Sequence, residues 1–252
     1  MAATVVAVTF DVWETLIHDP AGAEARRVAL RGVRMARLLG QAGVDVGPDD
    51  LVEAYHRALP DLEATWADAR DFDTPEQVRR VLARLPGGSL PTLPPSLLDD
   101  LSRAYAGAAL DYPPEIWPDT RPTLAEVARR GYRIGLICNT GRTPGWVLRQ
   151  LFEEWGILGH FQALAFSNET CIRKPDPAIF HGVLDRLGVQ PEAALHVGDD
   201  VVTDIAGAKA LGMRAAMIRA DSPVTPVAPD ARLARLGELI PLLGGWAKAN
   251  RG

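Results

Sequence analysis

The stretch Val5–Ile17, VVAVTFDVWETLI, decides how the rest of the chain is interpreted. Its first six residues are apolar or β-branched without interruption, which is typical of a strand buried on both faces of a parallel sheet. Asp11 follows directly, at the strand end where open α/β sheets bind their ligands. Because an aspartate there can also begin a turn or cap a helix, its role depends on the chemistry of the other strand ends.

Composition narrows the class of protein. The 252 residues suffice for one large domain or two modest ones, and 47% hydrophobic with 23% charged residues is typical of a globular protein. The net charge of -5 argues against nucleic-acid or membrane partners, while a small anionic ligand can still be held locally. The chain has only two cysteines, Cys138 and Cys171, which indicates a reducing compartment, and their spacing does not fit a metal site. We therefore expect a cytoplasmic protein. The oligomeric state is unknown.

Residues 18–116 contain helical patterns separated by Gly and Pro, with no convincing strand. A second helix opens at Pro48, and Pro60 is expected to break or kink it. Thr74 and Gln77 are expected to act as the N-cap and the capping-box residue of a third helix. This part of the chain is predicted to be entirely helical.

Beyond residue 116, strands and helices alternate. Strands are predicted at Arg133–Cys138, Gln162–Phe166, Ala194–Val197 and Arg214–Ile218. Helices are predicted between them, with one at Val202–Leu211 and a final one near Asp230–Leu243. This alternation predicts a Rossmann-like parallel sheet with helices on both faces. Residues 1–17 and 117–252 are therefore assigned to one α/β core, into which an all-helical cap domain of residues 18–116 is inserted.

Three more strand ends carry polar chemistry. Cys138-Asn139-Thr140-Gly141 offers a thiol, an amide, a hydroxyl and backbone N–H groups that suit a phosphate or a carboxylate. Lys174 lies just before a helix that starts with proline. It offers a positive charge to the same edge of the sheet, and the alternative is a solvated surface lysine. Asp199 and Asp200 end the next strand, with Asp204 one helical turn later. Several carboxylates in one pocket repel each other unless a cation lies among them, and oxygen-rich sites select Mg²⁺.

These four motifs, in this order and with a helical insert between the first two, resemble the haloacid dehalogenase superfamily of hydrolases. The insert resembles the C1-type cap of subfamily I. The resemblance spans essentially the whole chain and implies that Asp11 is a nucleophile forming a covalent aspartyl intermediate. It implies that Lys174 neutralises the nucleophile and the transferring group. A Rossmann dinucleotide site would need a glycine-rich fingerprint after the first strand, which is missing.

The same resemblance assigns the metal and substrate ligands. Asp11, the backbone carbonyl of Trp13 and the carboxylate of Asp199 would bind Mg²⁺. The residues expected to support this site are Thr15, Asp200 and Asp204. Asp204 can equally be a carboxylate that stabilises the first turn of a helix. The residues expected to bind phosphate are Cys138, Asn139 and Thr140.

Two departures from the family's pattern concern catalysis. Trp13 occupies the position where the family's phosphatases carry an aspartate that protonates the leaving group. Glu14 replaces a residue that is usually Gly and could in principle donate the proton. It is expected to point away from the pocket, because side chains alternate along a strand. His18 is a second candidate acid but is expected to be an exposed linker residue. Cys138 replaces a Ser or Thr, and because a thiol is a weak donor, phosphate binding there would depend on Asn139 and backbone N–H groups.

Dehalogenases of this superfamily also place an aromatic residue two positions after the nucleophile. They act on 2-haloacids without a metal, however, and carry neutral residues in the fourth motif and usually a tyrosine at the position of Phe180. The acidic fourth motif and Phe180 therefore favour a Mg²⁺-dependent phosphohydrolase acting on a small phosphorylated metabolite. The alternatives are a metal-independent 2-haloacid dehalogenase and a non-catalytic binding protein of the same fold.

The first predicted helix, Ala23–Gln41, carries three arginines on one face: Arg27, Arg31 and Arg34. Such a face can bind the anionic tail of a substrate. A solvated helix face is the more common arrangement, and it is the one expected here.

Overall fold

Strand β1 lies in the middle of a six-stranded parallel sheet. The computed structural model describes residues 4–86, 93–218 and 227–249. The strands within these ranges are Ala7–Phe10 (β1), Ile17–His18 (β2), Glu115–Ile116 (β3), Arg133–Cys138 (β4), Ala163–Phe166 (β5), Ala194–Gly198 (β6), Arg214–Ile218 (β7) and Ala231–Leu233 (β8). The sheet order is β5-β4-β1-β6-β7-β8, and β2 pairs with β3 as a separate antiparallel ribbon.

The register of the sheet brings the chemistry-bearing strand ends together. Phe10 at the end of β1 is paired with Leu136 of β4 and with Val197 of β6. The three strands are parallel, so the residues that follow them emerge at one edge. Asp11 continues the ladder by donating its backbone N–H to the carbonyl of Val197 at 2.9 Å.

Helices cover both faces of the sheet. The helices within the described residues are Ala23–Gln41 (α1), Pro48–Ala67 (α2), Thr74–Leu82 (α3), Pro95–Asp111 (α4), Thr120–Arg129 (α5), Gly145–Glu154 (α6), Ser167–Thr170 (α7), Pro177–Leu187 (α8), Gly207–Ala210 (α9) and Leu239–Ala249 (α10). Val8 shares an apolar cluster with α5, α6 and α10, whereas Ala7 belongs to the opposite cluster with α8 and α9. This layering confirms the predicted α/β fold. Among the described helices, none is long and apolar enough to cross a membrane.

Helices α1 to α4, here called the helical insert, surround an apolar cluster of their own. Met35 of α1, Tyr55 of α2, Val78 of α3 and Leu101 of α4 all belong to it. The β2–β3 ribbon joins the insert to the sheet at both ends. The division into a core and a cap at residues 18–116 remains a prediction.

Two details predicted for the insert are corrected. Helix α2 continues through Pro60, so the proline does not break the helix. The N-cap of α3 is Asp73, whose carboxylate accepts a hydrogen bond from the backbone N–H of Glu76 at 2.8 Å, and Thr74 is the first helical residue. The side chain of Gln77 donates instead to the carbonyls of Phe72 and Gly141, because it is buried against the sheet domain.

Two predictions about the C-terminal half are corrected in detail. The segment predicted as a helix over Val202–Leu211 is a π-helix at Val201–Ala206 that continues into α9. The helix predicted near Asp230–Leu243 is replaced at its start by strand β8 and a short 3-10 turn, and α10 begins only at Leu239. Three residues of β8 are too few to produce a readable alternation. Asp230 fixes the start of β8 by accepting a hydrogen bond from the N–H of Ala215.

Candidate active site

Lys174 joins two carboxylates at the carboxyl edge of the sheet. Its Nζ lies 2.5 Å from Oδ1 of Asp11 and 2.7 Å from Oδ1 of Asp204, with the side chain buried. Burial alone would lower the pKa of Lys174, but the two carboxylates offset this and hold the pKa above its ordinary value. Lys174 is therefore a charged residue of the site, and the alternative of a solvated surface lysine is wrong.

Three carboxylates converge on one point beside this lysine. One oxygen each from Asp11, Asp199 and Asp204 lies within 4.8 Å of the other two. Burial raises the pKa of Asp11 to about 6, although Lys174 acts in the opposite direction. Burial also raises the pKa of Asp199 to about 8, reinforced by the negative charges of Asp11 and Asp204. One lysine does not balance three carboxylates, so this donor set fits a bound divalent cation.

The carboxylate of Asp204 is fixed from three sides. Oδ1 accepts from Lys174 and lies 3.0 Å from Nε2 of His196, while Oδ2 accepts from the N–H of Asp200 at 3.0 Å. Burial would raise the pKa of Asp204, but Lys174 and His196 hold it below its usual range. A Cβ on Gly198 would lie 2.3 Å from Cγ of Asp204, so this approach requires glycine. Asp204 thus belongs to the site and does not serve only as a helix-turn carboxylate.

His196 is a buried member of this network that sequence reasoning missed. Its Nδ1 lies 2.9 Å from the hydroxyl of Thr9, and burial lowers its pKa, so the ring is neutral. The arrangement is satisfied when Nε2–H donates to Asp204 and Nδ1 accepts from Thr9. The only sequence signal was a histidine inside an otherwise apolar strand.

The predicted phosphate-binding loop is held mainly by its own side chains. Oδ1 of Asn139 accepts from the N–H of Lys174 at 2.9 Å, and Nδ2 donates to the carbonyl of Lys174 at 3.1 Å. Thr140 is buried against Ser167, whose hydroxyl accepts from the N–H of Thr140 at 2.9 Å. Burial raises the pKa of the Cys138 thiol well above its ordinary value, so the thiol is protonated. The phosphate-binding roles of Cys138, Asn139 and Thr140 remain predictions.

The residues after the nucleophile form a turn. Trp13 is partly exposed, and Thr15 is buried beneath the turn. Glu14 is exposed with a φ of 55°, a left-handed conformation that accounts for the usual Gly there. The side chain of Glu14 therefore points away from the pocket, as predicted. Strand alternation is not the reason, because β1 ends at Phe10. Asp200 is exposed and stands apart from the three carboxylates.

The carboxylate of Asp200 has a structural function instead. Its Oδ1 accepts from the N–H groups of Val202 and Thr203 at 2.8 and 2.7 Å and so caps the π-helix. His18 is half-buried in the β2–β3 ribbon, and its ring centroid lies 4.0 Å from that of Trp117. The expectation of an exposed linker histidine is therefore wrong, because the ribbon orders this part of the chain.

A buried aspartate of the helical insert reaches the sheet domain. Oδ2 of Asp71 accepts from the hydroxyl of Ser167 at 2.5 Å and from Nη1 of Arg173 at 2.8 Å. The backbone N–H of Asp71 also donates to the carbonyl of Cys171. Since Ser167 in turn accepts from Thr140, this contact connects the insert with the loop beside Lys174. Sequence reasoning did not find it, because nothing in the sequence pairs these distant residues.

The arginine face of α1 is not a solvated surface. Arg27 and Arg31 are 1% and 2% exposed. Arg27 donates to both carboxylate oxygens of Asp19, and Arg31 donates to Glu24 at 3.0 Å. The solvated-face prediction is wrong for both, because α1 packs between α2 and α4 and acidic partners accompany the arginines into the interior. Arg34 is half-exposed and ion-paired with Asp111.

A cavity of about 210 Å³ lies between the insert and the carboxyl edge of the sheet. It is lined by Trp13, Asp19, Glu24, Arg27, Trp66, Asn139, Thr140, Gly141, Arg142 and Thr143. Four of these residues lie between β2 and the end of α2: Asp19, Glu24, Arg27 and Trp66. The others follow strands β1 and β4. The cavity therefore has the position of a substrate site next to the lysine and carboxylates.

Comparison with known proteins agrees with this geometry. The family model described as a haloacid dehalogenase-like hydrolase matches residues 5–212. The chain belongs to this family of hydrolases. It is 35% identical over 184 residues to a phosphoserine phosphatase of Thermus thermophilus, covering 72% of this chain and 69% of the relative. It is 31% identical over 214 residues to a glyceraldehyde 3-phosphate phosphatase of Methanopyrus kandleri, covering 84% of this chain and 83% of the relative.

Among solved structures, this hydrolase is similar to a 2-haloacid dehalogenase from Pseudomonas syringae. The TM-score is 0.69 at 27% sequence identity, and the match covers 96% of this chain and all of the other. The family fold therefore includes the helical insert as well as the sheet. The predicted membership of the haloacid dehalogenase superfamily is confirmed, whereas the subfamily of its cap remains a prediction.

Proposed function

We propose that this hydrolase is a Mg²⁺-dependent phosphohydrolase that acts through an aspartyl-phosphate intermediate on a small phosphorylated metabolite. The observation that carries the proposal is the convergence of Asp11, Asp199 and Asp204 around one point beside Lys174. The phosphatase names of both relatives support it. A buried group of carboxylates has a clear use in phosphoryl transfer, where a metal offsets charge on the transferring group.

The oxygen ligands for Mg²⁺ would be the carboxylates of Asp11 and Asp199 and the backbone carbonyl of Trp13. Asp204 already accepts from three donors, so it supports the site by fixing Lys174. When bound, the ion supplies positive charge that stabilises the phosphoryl oxygens in the transition state.

Asp11 performs the covalent chemistry in this proposal. One of its carboxylate oxygens attacks phosphorus in line, a new O–P bond forms, and the bond to the leaving oxygen breaks. Lys174 offsets the negative charge on the nucleophile before the attack and on the transferring group during it. Water then attacks phosphorus, which releases inorganic phosphate and restores the carboxylate of Asp11.

The residues considered from the sequence do not supply an evident acid for the leaving group. Trp13 occupies the position of the family's acid, Glu14 is exposed, and His18 is held in the β2–β3 ribbon. A general acid contributes about 10²–10⁴ in rate, mostly for poor leaving groups. We therefore expect a preference for acyl, aryl or anhydride phosphates over alkyl esters.

A second candidate function is 2-haloacid dehalogenation, in which Asp11 would displace halide from carbon. Trp13 and the similarity to the Pseudomonas syringae enzyme favour it. The acidic fourth motif argues against it, because a metal-independent reaction has no use for two additional carboxylates beside the nucleophile. Phe180 is buried against the ring of His196, and a phenylalanine offers no hydroxyl to the site.

The helical insert would act as a cap that excludes water from the reacting centre. Its contact through Asp71 and the cavity beneath it support this role. We also propose a cytoplasmic location, which is supported by two free thiols, Cys138 and Cys171.

One screen tests these assignments together. The purified protein and an Asp11→Asn variant are assayed against phosphate esters and 2-haloacids, with Mg²⁺ and with EDTA. We expect phosphate release that requires Mg²⁺ and Asp11. Halide release that survives EDTA would establish the dehalogenase instead, and Mg²⁺ binding without any turnover would indicate a non-catalytic protein.

A further inference from the structure

We propose that Arg142 binds a second anionic group of the substrate, a carboxylate, in the wall of the cavity beside the reacting centre. The inference rests on the proposed function and specifies its substrate class as small phosphate esters that carry a carboxylate. It depends on the position of Arg142, on its unused hydrogen-bond donors and on the charge balance around it.

The position follows from the residues that share the cavity with Arg142. Asn139 lines the same space and is bonded through its amide to the backbone of Lys174. Trp13, two residues after Asp11, lines it from another side. A substrate whose phosphoryl group meets Asp11 and Lys174 would therefore extend its remaining part toward Arg142.

The guanidinium of Arg142 is held by one nitrogen and leaves two for a ligand. Nε donates to Oε1 of Glu24 at 3.1 Å, and the guanidinium carbon lies 5.9 Å from the ring centroid of Trp66. Within the described part of the chain, Nη1 and Nη2 make no hydrogen bond, and the side chain is 28% exposed. Two parallel N–H groups on a fixed guanidinium match the two oxygens of a carboxylate.

The ion-pair network around Glu24 contains one more guanidinium than carboxylates. Asp19 is used by Arg27, with which it forms two hydrogen bonds. Glu24 is shared by Arg31 and Arg142 and also accepts from the hydroxyl of Tyr55 at 2.8 Å. Burial would raise the pKa of Glu24, but Arg31 and Arg142 hold it below its ordinary value, so it is ionised. Three guanidinium groups thus face two carboxylates, and one carboxylate of a ligand would complete the balance.

The size of the cavity limits the ligand. A volume of about 210 Å³ accommodates only a few carbon atoms besides the phosphoryl group. Carboxymethyl phosphate and 2-carboxyethyl phosphate are suitable probes, and 2-hydroxyethyl phosphate and 3-hydroxypropyl phosphate are their neutral counterparts. p-Nitrophenyl phosphate, which has no carboxylate, reports the phosphatase reaction itself.

The experiment compares kcat and KM for these esters in the wild type and in Arg142→Met, Arg142→Lys and Arg149→Met. Arg149 is a matched control, because its guanidinium is paired with Glu169 away from the cavity. A charge-assisted bidentate contact corresponds to about 10–100-fold in affinity. We expect the wild type to prefer at least one carboxylate ester by about 10-fold, mainly through KM. Arg142→Met should abolish this preference, and Arg142→Lys should restore part of it.

The rate on p-nitrophenyl phosphate should change by less than about 2-fold in the control variant Arg149→Met, whose guanidinium is paired with Glu169. Arg142→Met should lose more activity on the carboxylate esters than on their neutral counterparts, because only the carboxylate esters use the guanidinium. Equal losses on all esters in Arg142→Met would overturn the inference, because Arg142 would then act only through its contact with Glu24. Equal rates on carboxylate and neutral esters in the wild type would also overturn it, while activity on p-nitrophenyl phosphate would leave the proposed function intact. No hydrolysis of any ester would reject the proposed function and the inference together.

Discussion

Trp13 is the residue at which this chain departs most clearly from the phosphatases of its family. It lines the cavity beside the nucleophile, and its side chain has no acidic proton to donate to a leaving group. The proximity of Asp11, Lys174 and Asp199 could be predicted from the sequence, because each follows or precedes a recognisable strand or helix. Which other side chains surround these residues depends on the tertiary structure and could not be predicted.

Trp13→Asp should raise activity on alkyl phosphates. The new carboxylic acid would protonate the leaving oxygen, which is worth about 10²-fold at the lower end of general acid catalysis. The measurement is kcat/KM for 2-hydroxyethyl phosphate in the variant and the wild type. p-Nitrophenyl phosphate serves as the control, because its leaving group needs little protonation. An equal gain on both substrates would contradict the explanation through acid catalysis.

His196 should act as a positioning residue for Asp204 and Lys174. Replacing it by Leu removes one donor from a buried carboxylate, which costs about 1–3 kcal/mol of unfolding free energy. We expect kcat to fall about 10-fold while KM changes little, since the misplaced lysine affects the transition state most. Urea denaturation and steady-state kinetics measure the two effects.

His196→Gln provides the matched comparison for that variant, since its amide can still donate toward Asp204. It should recover most of the lost activity. If the Leu and Gln variants are equally impaired, then the hydrogen bond to Asp204 is not what matters, and ring packing against Phe180 is the better explanation.

At the level of elements, the helices and strands were largely predictable and their contacts were not. The bounds of α1, β4 and β7 coincide with the prediction, because each has a clear hydrophobic period. The three-residue strand β8 lacked such a period, and the π-helix is a geometry that a simple helical pattern does not reveal. The arginine face of α1 was misjudged because the acidic partners lie elsewhere in sequence, and a helical period does not reveal ion pairs across elements.

Asp71 should be the main polar connection between the helical insert and the sheet domain. Asp71→Ala leaves the mostly buried Arg173 without its carboxylate and removes the carboxylate to which Ser167 donates. We expect the free energy of unfolding to fall by about 3 kcal/mol, as for other broken buried pairs. The measurement is chemical denaturation at equilibrium.

A control for Asp71 exists on the same insert. Asp61 forms an exposed pair with Arg84, and such pairs contribute at most about 1 kcal/mol. Asp61→Ala should therefore be nearly neutral. Similar losses of stability in both variants would argue that general charge effects, rather than the buried contact, hold the insert in place.

For the molecule as a whole, the parallel sheet and the run of helices between its first two strands could be predicted, because β/α alternation and the position of the helical segment are visible in the sequence. The convergence of strand ends follows from parallel topology alone, which is why Asp11, Lys174 and Asp199 were found together. Asp71, Ser167 and Glu24 were missed, because their roles arise from docking of the insert onto the sheet. Such contacts have no local sequence pattern.

Mg²⁺ should stabilise the whole protein if the acidic cluster binds it. At a concentration 100 times the dissociation constant, binding to the native state adds about 2.7 kcal/mol, or roughly 5–10 °C in Tm for a chain of this size. Differential scanning calorimetry with and without Mg²⁺ measures the shift. It should vanish in Asp199→Asn and persist in Asp200→Asn, because Asp200 caps the π-helix and lies outside the cluster.

A retained shift in Asp199→Asn together with a lost shift in Asp200→Asn would contradict the assignment of the metal ligands. Loss of the shift in both variants would indicate that Mg²⁺ stabilises the protein through the total negative charge at this edge of the sheet rather than through specific ligands.

The central claim is that Asp11 becomes phosphorylated during turnover, and the mass of the acid-quenched protein tests it most directly. The protein is mixed with p-nitrophenyl phosphate and Mg²⁺, quenched at several times within the first turnover, and digested for mapping. We predict one added phosphoryl group on the peptide that contains Asp11, absent with EDTA and in Asp11→Asn. Phosphate release without an adduct on Asp11 at any quench time, or an adduct that survives in Asp11→Asn, would contradict the account.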